Sequence, residues 1–212
     1  MNARTLLTWL GLLVGVCALV LQFWLAIPLY LSKGKDLPGA LGTFFAFYTI
    51  LTNITLVLIY SSAIWSGRPM SLFRHPTVRA MMAANITLVF LFVYFVLSKT
   101  YAFSGLSLLV DNLLHYVTPV IYVLWWLTTQ KHGQLRWESL PAMLAPTLVY
   151  FLAILARGVW VNEYPYPILD VTTLGYGAVW INAVVMTVAL GALCLIVIAL
   201  DRALARSPRT AP

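Results

Sequence analysis

The chain has 212 residues, 62% of them hydrophobic and 9% charged, with a mean hydropathy of +0.91. A water-soluble domain carries about a quarter of its residues charged to cover its surface, so this composition excludes one and reads as a polytopic membrane protein. The formal charge of +7 does not point to nucleic acid, because no basic patch alternates with aromatics and the arginines gather at the ends of apolar runs.

In chain order, the first apolar run is Thr5 to Leu31, after Arg4. A cleavable signal needs a shorter apolar core and a small-residue cleavage site, and Val16 before Cys17 fits a lipoprotein site poorly, so the run is expected to remain as a spanning helix. Five more runs follow, at Leu41–Trp65, Thr77–Ser98, Leu109–Leu127, Leu140–Ala156 and Leu174–Leu200. At ~1.5 Å per residue each can cross a hydrocarbon core of ~30 Å, some with help from interfacial residues. The links are short, so the expected fold is all-α: one domain over residues 1–212, a transmembrane bundle of six helices with consecutive helices antiparallel.

With six spans, one side holds Arg4, Arg68, Arg74, Arg79, Lys131, Arg136, Arg202, Arg206 and Arg209, nine of the thirteen basic residues, and the other holds Lys33, Lys35, Lys99 and Arg157. This asymmetry predicts that both termini are cytoplasmic. Trp65, Trp125, Trp126, Trp137 and Trp160 fall near predicted helix ends, where amphipathic rings are expected to sit at the interface. Cys17 and Cys194 lie in separate apolar runs and support neither a disulfide framework nor a zinc motif; both read as small apolar fillers.

The unusual chemistry is concentrated in Asp111-Asn112-Leu113-Leu114-His115. Ionisable groups at membrane depth cost roughly 2.5–3.5 kcal/mol each on insertion scales, so a carboxylate and an imidazole four residues apart are a functional hypothesis. His115 is the one histidine of the three within a predicted span, since His75 and His132 fall in basic links. Asp111 either orients that imidazole or is a first-turn carboxylate favoured by the helix dipole. On the second span Thr49, Thr52 and Asn53 are spaced i, i+3, i+4 and form one polar stripe, expected to face the bundle interior; such a stripe either serves a site or bonds neighbouring helices and its own backbone. Counted from the outer ends of their spans, Thr49 is ~12 Å and His115 ~9 Å deep, so the two are expected at one level. On the same side lie Arg157, Glu163, Tyr164, Tyr166 and Asp170, with Pro165 and Pro167 favouring an ordered, non-helical cover. The tyrosines are either part of the site or interfacial anchors, and Arg157 and Asp170 either touch a ligand or are an ion pair or surface charges.

A single membrane histidine does not suit haem ligation, and no metal site or cofactor is expected. Phosphate-binding glycine loops, nucleophile elbows and zinc-protease helices are not found. What remains is a hydroxyl nucleophile activated by an imidazole. The alternative class is a non-enzymatic lipid-binding or transport protein with a buried polar pocket; no internal repeat suggests a complete transporter.

Phe47-Tyr48-Thr49, His115 followed by Val117-Thr118-Pro119, and Tyr166-Pro167-Ile168-Leu169-Asp170 resemble the androgen-induced-gene family of membrane proteins, and the run from Tyr164 to Gly177 resembles its bacterial six-span relatives. The resemblance implies a threonine hydrolase acting on fatty acid esters of hydroxy fatty acids, with Thr49 as nucleophile and His115 as base. It also implies a lipid substrate that enters from the bilayer and a bacterial inner membrane as the location. Thr52, one turn from Thr49, is the second candidate nucleophile. The residues themselves suggest Asp111 as orienter and Asn53 as oxyanion donor, with Arg157, Tyr166 and Asp170 as substrate-side groups.

Overall fold

The computed structural model describes residues 2–65, 67–99 and 103–205, and among these every regular element is helical. Arg206 and Arg209 of the charge count therefore lie outside the described residues. Helix α1 (Ala3–Ser32) starts on an Asn2 side chain that accepts the Thr5 N–H at 2.8 Å, relieving one of the four donors that a helix start leaves unpaired. Helix α2 (Leu37–Ala46) starts the same way on Asp36 and has Pro38 in its first turn. There follow α3 (Tyr48–Ile64), the single turn α4 (Ser71–Arg74), α5 (Pro76–Phe95), α6 (Gly105–Asn112), a π-helical turn (Leu113–Val117), α7 (Thr118–Thr129), α8 (Leu140–Val161) and α9 (Val171–Ala203). Gly175, at φ 74°, bends the start of α9, a left-handed conformation that a side chain would resist.

Five helical stretches are long and apolar enough to cross a membrane, or six if the bent pair α2 and α3 counts as one. That bend corrects the expectation of a single straight helix over Leu41–Trp65: α2 ends at Ala46, Phe47 is extended (φ −76°, ψ 125°), and α3 leaves at 77°. Neither glycine nor proline causes it. The Tyr150 hydroxyl on α8 donates to the Ala46 carbonyl at 2.8 Å, and the Thr49 N–H donates to the Tyr166 hydroxyl at 3.3 Å. Two phenols from more than a hundred residues away thus stand in for helical bonds, the kind of side-chain insertion that kinks a helix.

Helices this apolar gain little from burial against one another in lipid and associate through close packing and hydrogen bonds. Gly11 on α1 gives room to Tyr60 on α3, where a Cβ would lie 2.3 Å from the ring. Trp125 and Trp126 are 1% and 3% exposed, which corrects the expectation that they sit at an interface: Trp125 packs on Tyr60 and Tyr122 and donates to Thr8 at 2.8 Å. Trp65, Trp137 and Trp160 are exposed, as is Cys17, whereas Cys194 is buried.

The two ends of the bundle are tied differently. At one, Asp201 near the end of α9 accepts the N–H groups of Gly133, Gln134 and Leu135 at 2.8–3.1 Å and contacts His132 at 3.1 Å, so the α7–α8 link is fixed on the carboxylate. At the other, Glu163 binds Lys35 and Arg157, each at 3.0 Å, and Thr43 at 2.9 Å. That cluster joins the α1–α2 turn to the 162–170 segment, which covers the candidate site.

Candidate functional site

The break at Phe47 puts Thr49 in the first turn of α3, where helical N–H groups have no intrahelical acceptor and the dipole is positive. The side chain is buried. His115 comes from the π-helical turn between α6 and α7; such single wide turns within a helix recur at functional sites. α6 begins at Gly105, four residues before the expected start. Asp111 is therefore in its second turn, and the first-turn reading of this carboxylate is set aside. His115 is deeper than expected, ten residues (~15 Å) along the helix.

The two helices bring three side chains into a line. His115 Nε2 is 3.2 Å from Thr49 Oγ1, and His115 Nδ1 is 2.8 Å from Asp111 Oδ1 and 3.1 Å from the Asp111 carbonyl oxygen. Both partners of Nδ1 are acceptors, so Nδ1 carries the proton of a neutral ring. Nε2 is then left as an acceptor for the threonine O–H. Asp111 and His115 are partly buried, at 19% and 16% side-chain exposure. In that setting water weakens the pair less than at a surface.

Tyr166 closes the site from the 162–170 segment. Its hydroxyl accepts from the Thr49 N–H, and its ring packs edge-on against Phe47 and Phe92. Burial pushes the phenol up from its ordinary value, opposed in part by hydrogen bonds from Thr49 and from the Tyr48 backbone, so it keeps its proton at neutral pH and can donate it. The segment is held from beneath by Gly158, where a Cβ would lie 1.9 Å from the Tyr164 ring, and by Asn182 donating to the Ile168 carbonyl at 2.9 Å. Next to Thr49, Tyr48 is anchored by Asn85 on α5 and by Thr147 on α8, the latter at 2.7 Å, which fixes the start of α3 on two neighbours.

The other candidates go elsewhere. Thr52 donates to the carbonyls of Tyr48 and Thr49 at 2.9 and 3.0 Å, and no bond to His115 is formed. Asn53 donates to the Thr49 and Leu114 carbonyls at 2.9 and 3.3 Å and accepts from Thr118 at 2.6 Å, so its amide joins α3 to the His115 segment and has no donor left to aim at a ligand. Arg157 is bound to Glu163. Burial raises the Glu163 pKa, but hydrogen bonds from Lys35, Arg157 and Thr43 outweigh it, and the carboxyl is held below its ordinary value. Asp170 caps α9 by accepting the Thr172 N–H and hydroxyl at 2.9 and 2.6 Å. These bonds hold its pKa down. Neither Arg157 nor Asp170 lines the cavity at Thr49. Among the described residues no three His, Cys, Asp or Glu side chains converge as metal ligands would.

Two cavities meet at the site. One of about 570 Å³ is lined by Thr49, Asp111, His115 and Tyr166 together with α1, α2 and α6. The other, about 100 Å³ and almost wholly apolar, lies between α5, α8 and α9 and also touches Thr49 and Tyr166. The sequence reading missed Gln22, which lines the larger cavity; the available signal was that it carries the sole amide of α1 between Trp9 and Leu31.

A hydroxyl hydrogen-bonded to an imidazole held in one tautomer, with a phenol beside them, is an arrangement of the kind that can carry out acyl transfer. Comparisons of the chain with protein-family models, with curated proteins and with solved structures gave no match.

Proposed function

We propose that this chain is a membrane-embedded lipid ester hydrolase with Thr49 as nucleophile, His115 as general base and Asp111 as the group that orients it. The observation that carries this reading is the continuous Thr49–His115–Asp111 hydrogen-bond line, 3.2 and 2.8 Å long, at the wall of an apolar cavity. His115 Nε2 takes the proton of the Thr49 hydroxyl as its oxygen attacks the ester carbonyl. The tetrahedral oxyanion is stabilised by the Tyr166 phenol, at the positive end of the α3 dipole. The imidazolium returns the proton to the leaving alkoxide, giving an acyl-threonine. Water, deprotonated by the same Nε2, releases the acid and restores Thr49.

In this reading the bundle spans the membrane six times, α2 and α3 forming one broken span, with both termini cytoplasmic. The site then lies toward the outer side, and a lipid ester enters from the bilayer. Membership of the androgen-induced-gene family, the bacterial inner membrane and fatty acid esters of hydroxy fatty acids as substrates rest on the three short motifs.

The test is a hydroxyl-directed phosphonate probe applied to the purified chain in lipid discs, with the adduct mapped by mass spectrometry. The adduct is expected on Thr49, lost in Thr49→Ala and His115→Ala and kept in Thr52→Ala. An adduct on Thr52 moves the nucleophile. No adduct and no lipid-ester turnover in folded wild-type protein leaves a non-enzymatic lipid-binding protein, for which the apolar 570 Å³ cavity is sufficient.

A further inference from the structure

Between Trp9 and Leu31 helix α1 has no charged residue and one amide, Gln22. That side chain lies on the wall of the cavity that also holds Thr49, Asp111 and His115. No hydrogen bond to it is formed among the described residues, whereas Thr49, Asp111, His115 and Tyr166 on the same wall are paired with one another; the other unpaired polar side chains on this wall, Tyr30 and Ser107, offer one hydroxyl each. An amide offers two donors and an acceptor, and leaving them unpaired at membrane depth is unfavourable. A ligand group that satisfies them is therefore strongly preferred.

The charge of the walls narrows what that group is. Among the described residues Asp111 is the sole carboxylate whose side chain lines the cavity, and neither lysine nor arginine does. The nearest cations that the 162–170 cover supplies or touches, Lys35 and Arg157, are both bound to Glu163. A ligand carboxylate inside would meet the Asp111 carboxylate and, among the described residues, no lysine or arginine to replace its water. A hydroxyl or a second carbonyl meets Gln22 without that penalty.

We propose that the cavity selects uncharged lipid esters bearing a second hydrogen-bonding group, and that Gln22 is the residue that recognises this group. The ester part of this statement rests on the hydrolase reading; the preference for an uncharged, hydroxylated lipid does not. It departs from the substrate class implied by the family resemblance, because fatty acid esters of hydroxy fatty acids end in a free carboxylate.

The experiment uses the full chain in lipid discs and three non-hydrolysable ethers with the same long tail: a glycerol ether, a plain alkyl ether and an ether ending in a carboxylate. The matched esters are run in parallel for turnover. Wild-type protein is expected to bind the glycerol ether about five- to tenfold more tightly than the alkyl ether, the worth of one net hydrogen bond, and the carboxylate most weakly. In Gln22→Leu the ratio of glycerol to alkyl ether should fall to about one, with the carboxylate still the weakest. Carboxylate binding as tight as the glycerol ether's, or a Gln22→Leu variant that weakens all three by the same factor, overturns the proposal. Ordered binding without ester turnover removes the hydrolase reading and leaves the selectivity standing. Turnover with no order among the ligands does the reverse.

Discussion

Tyr166→Phe separates two jobs that the phenol performs. As a stitch at the Phe47 break, its oxygen accepts the Thr49 N–H at 3.3 Å. A buried donor left without its acceptor costs about 1–3 kcal/mol, and the length of this bond puts the loss near the low end, about 1 kcal/mol. As an oxyanion donor, its removal should slow acylation by about 10²–10³-fold, or about 3–4 kcal/mol of transition-state stabilisation. The second number exceeds the first, so the roles can be told apart by measuring phosphonate labelling rate and denaturation of the same sample. Tyr150→Phe is the control, since it removes the other stitch, the 2.8 Å bond to the Ala46 carbonyl, and takes nothing from the reacting atoms. Both variants should lose similar stability, and Tyr166→Phe alone should lose labelling a hundredfold or more by the same oxyanion estimate. If Tyr166→Phe labels within about threefold of Tyr150→Phe, less than 1 kcal/mol, the phenol only holds the break and the oxyanion assignment is refuted.

Asp111→Asn should slow ester turnover about a hundredfold, less than the ~10⁴ seen when a triad carboxylate is the sole orienter, because the Asp111 carbonyl at 3.1 Å still accepts from Nδ1; turnover against pH, with labelling rate alongside, checks this. Gly158→Ala should cost about 1–3 kcal/mol by overpacking, since the new Cβ would lie 1.9 Å from the Tyr164 ring; faster proteolysis in the 162–170 segment and weaker labelling together report that the cover has lifted. Glu163, whose folded-state carboxyl is held below its ordinary value, contributes stability that is present above the unfolded glutamate pKa of about 4.3 and is lost as pH falls through the lower folded value. Acid unfolding of wild type below about pH 4 should therefore show a component that Glu163→Gln lacks, read by tryptophan fluorescence across a pH series.

The long-period features of this chain were legible in its sequence because they depend on composition over many residues. Apolar runs located the helices, and the i, i+4 spacing of Asp111 and His115 gave their contact; the two prolines gave a break between α8 and α9, but the expectation of a wholly non-helical cover is corrected by the 3₁₀ turn at Pro167–Leu169. Thr49 and His115 do meet, but the depths assigned to them did not follow from the runs. The break at Phe47 has no local cause, since the phenols that stabilise it, Tyr150 and Tyr166, belong to segments a hundred residues on. The π turn at Leu113–Val117 likewise leaves no mark on an apolar pattern. Trp125 and Trp126 were assigned to an interface because they stand near a helix end. A hydroxyl partner at Thr8, which only the packed bundle reveals, draws Trp125 inward. Arg157 was visible as a charge, but its commitment to Glu163 depends on Lys35 and Thr43 meeting the same carboxylate.

These failures of local reading converge on one place. A regular α3 continuing from α2 would bond the Thr49 N–H to its own helix and would leave Tyr166 no amide to accept from. A regular α-helix through Leu113–Val117 would rotate everything C-terminal to it by part of a turn, so Thr118, which joins Asn53 at 2.6 Å, would leave α3. The bond from Asn53 to the Leu114 carbonyl at 3.3 Å crosses between the two irregular segments one residue before His115. Local rules are broken where a structure is asked for more than stability, and here the broken helix, the wide turn and the proline-rich cover all contribute a group within one bond of Thr49 or His115. Restoring regular helix at the Phe47 break should then raise stability while removing the site, a trade opposite in sign to the loss of both that a packing defect such as Gly158→Ala produces.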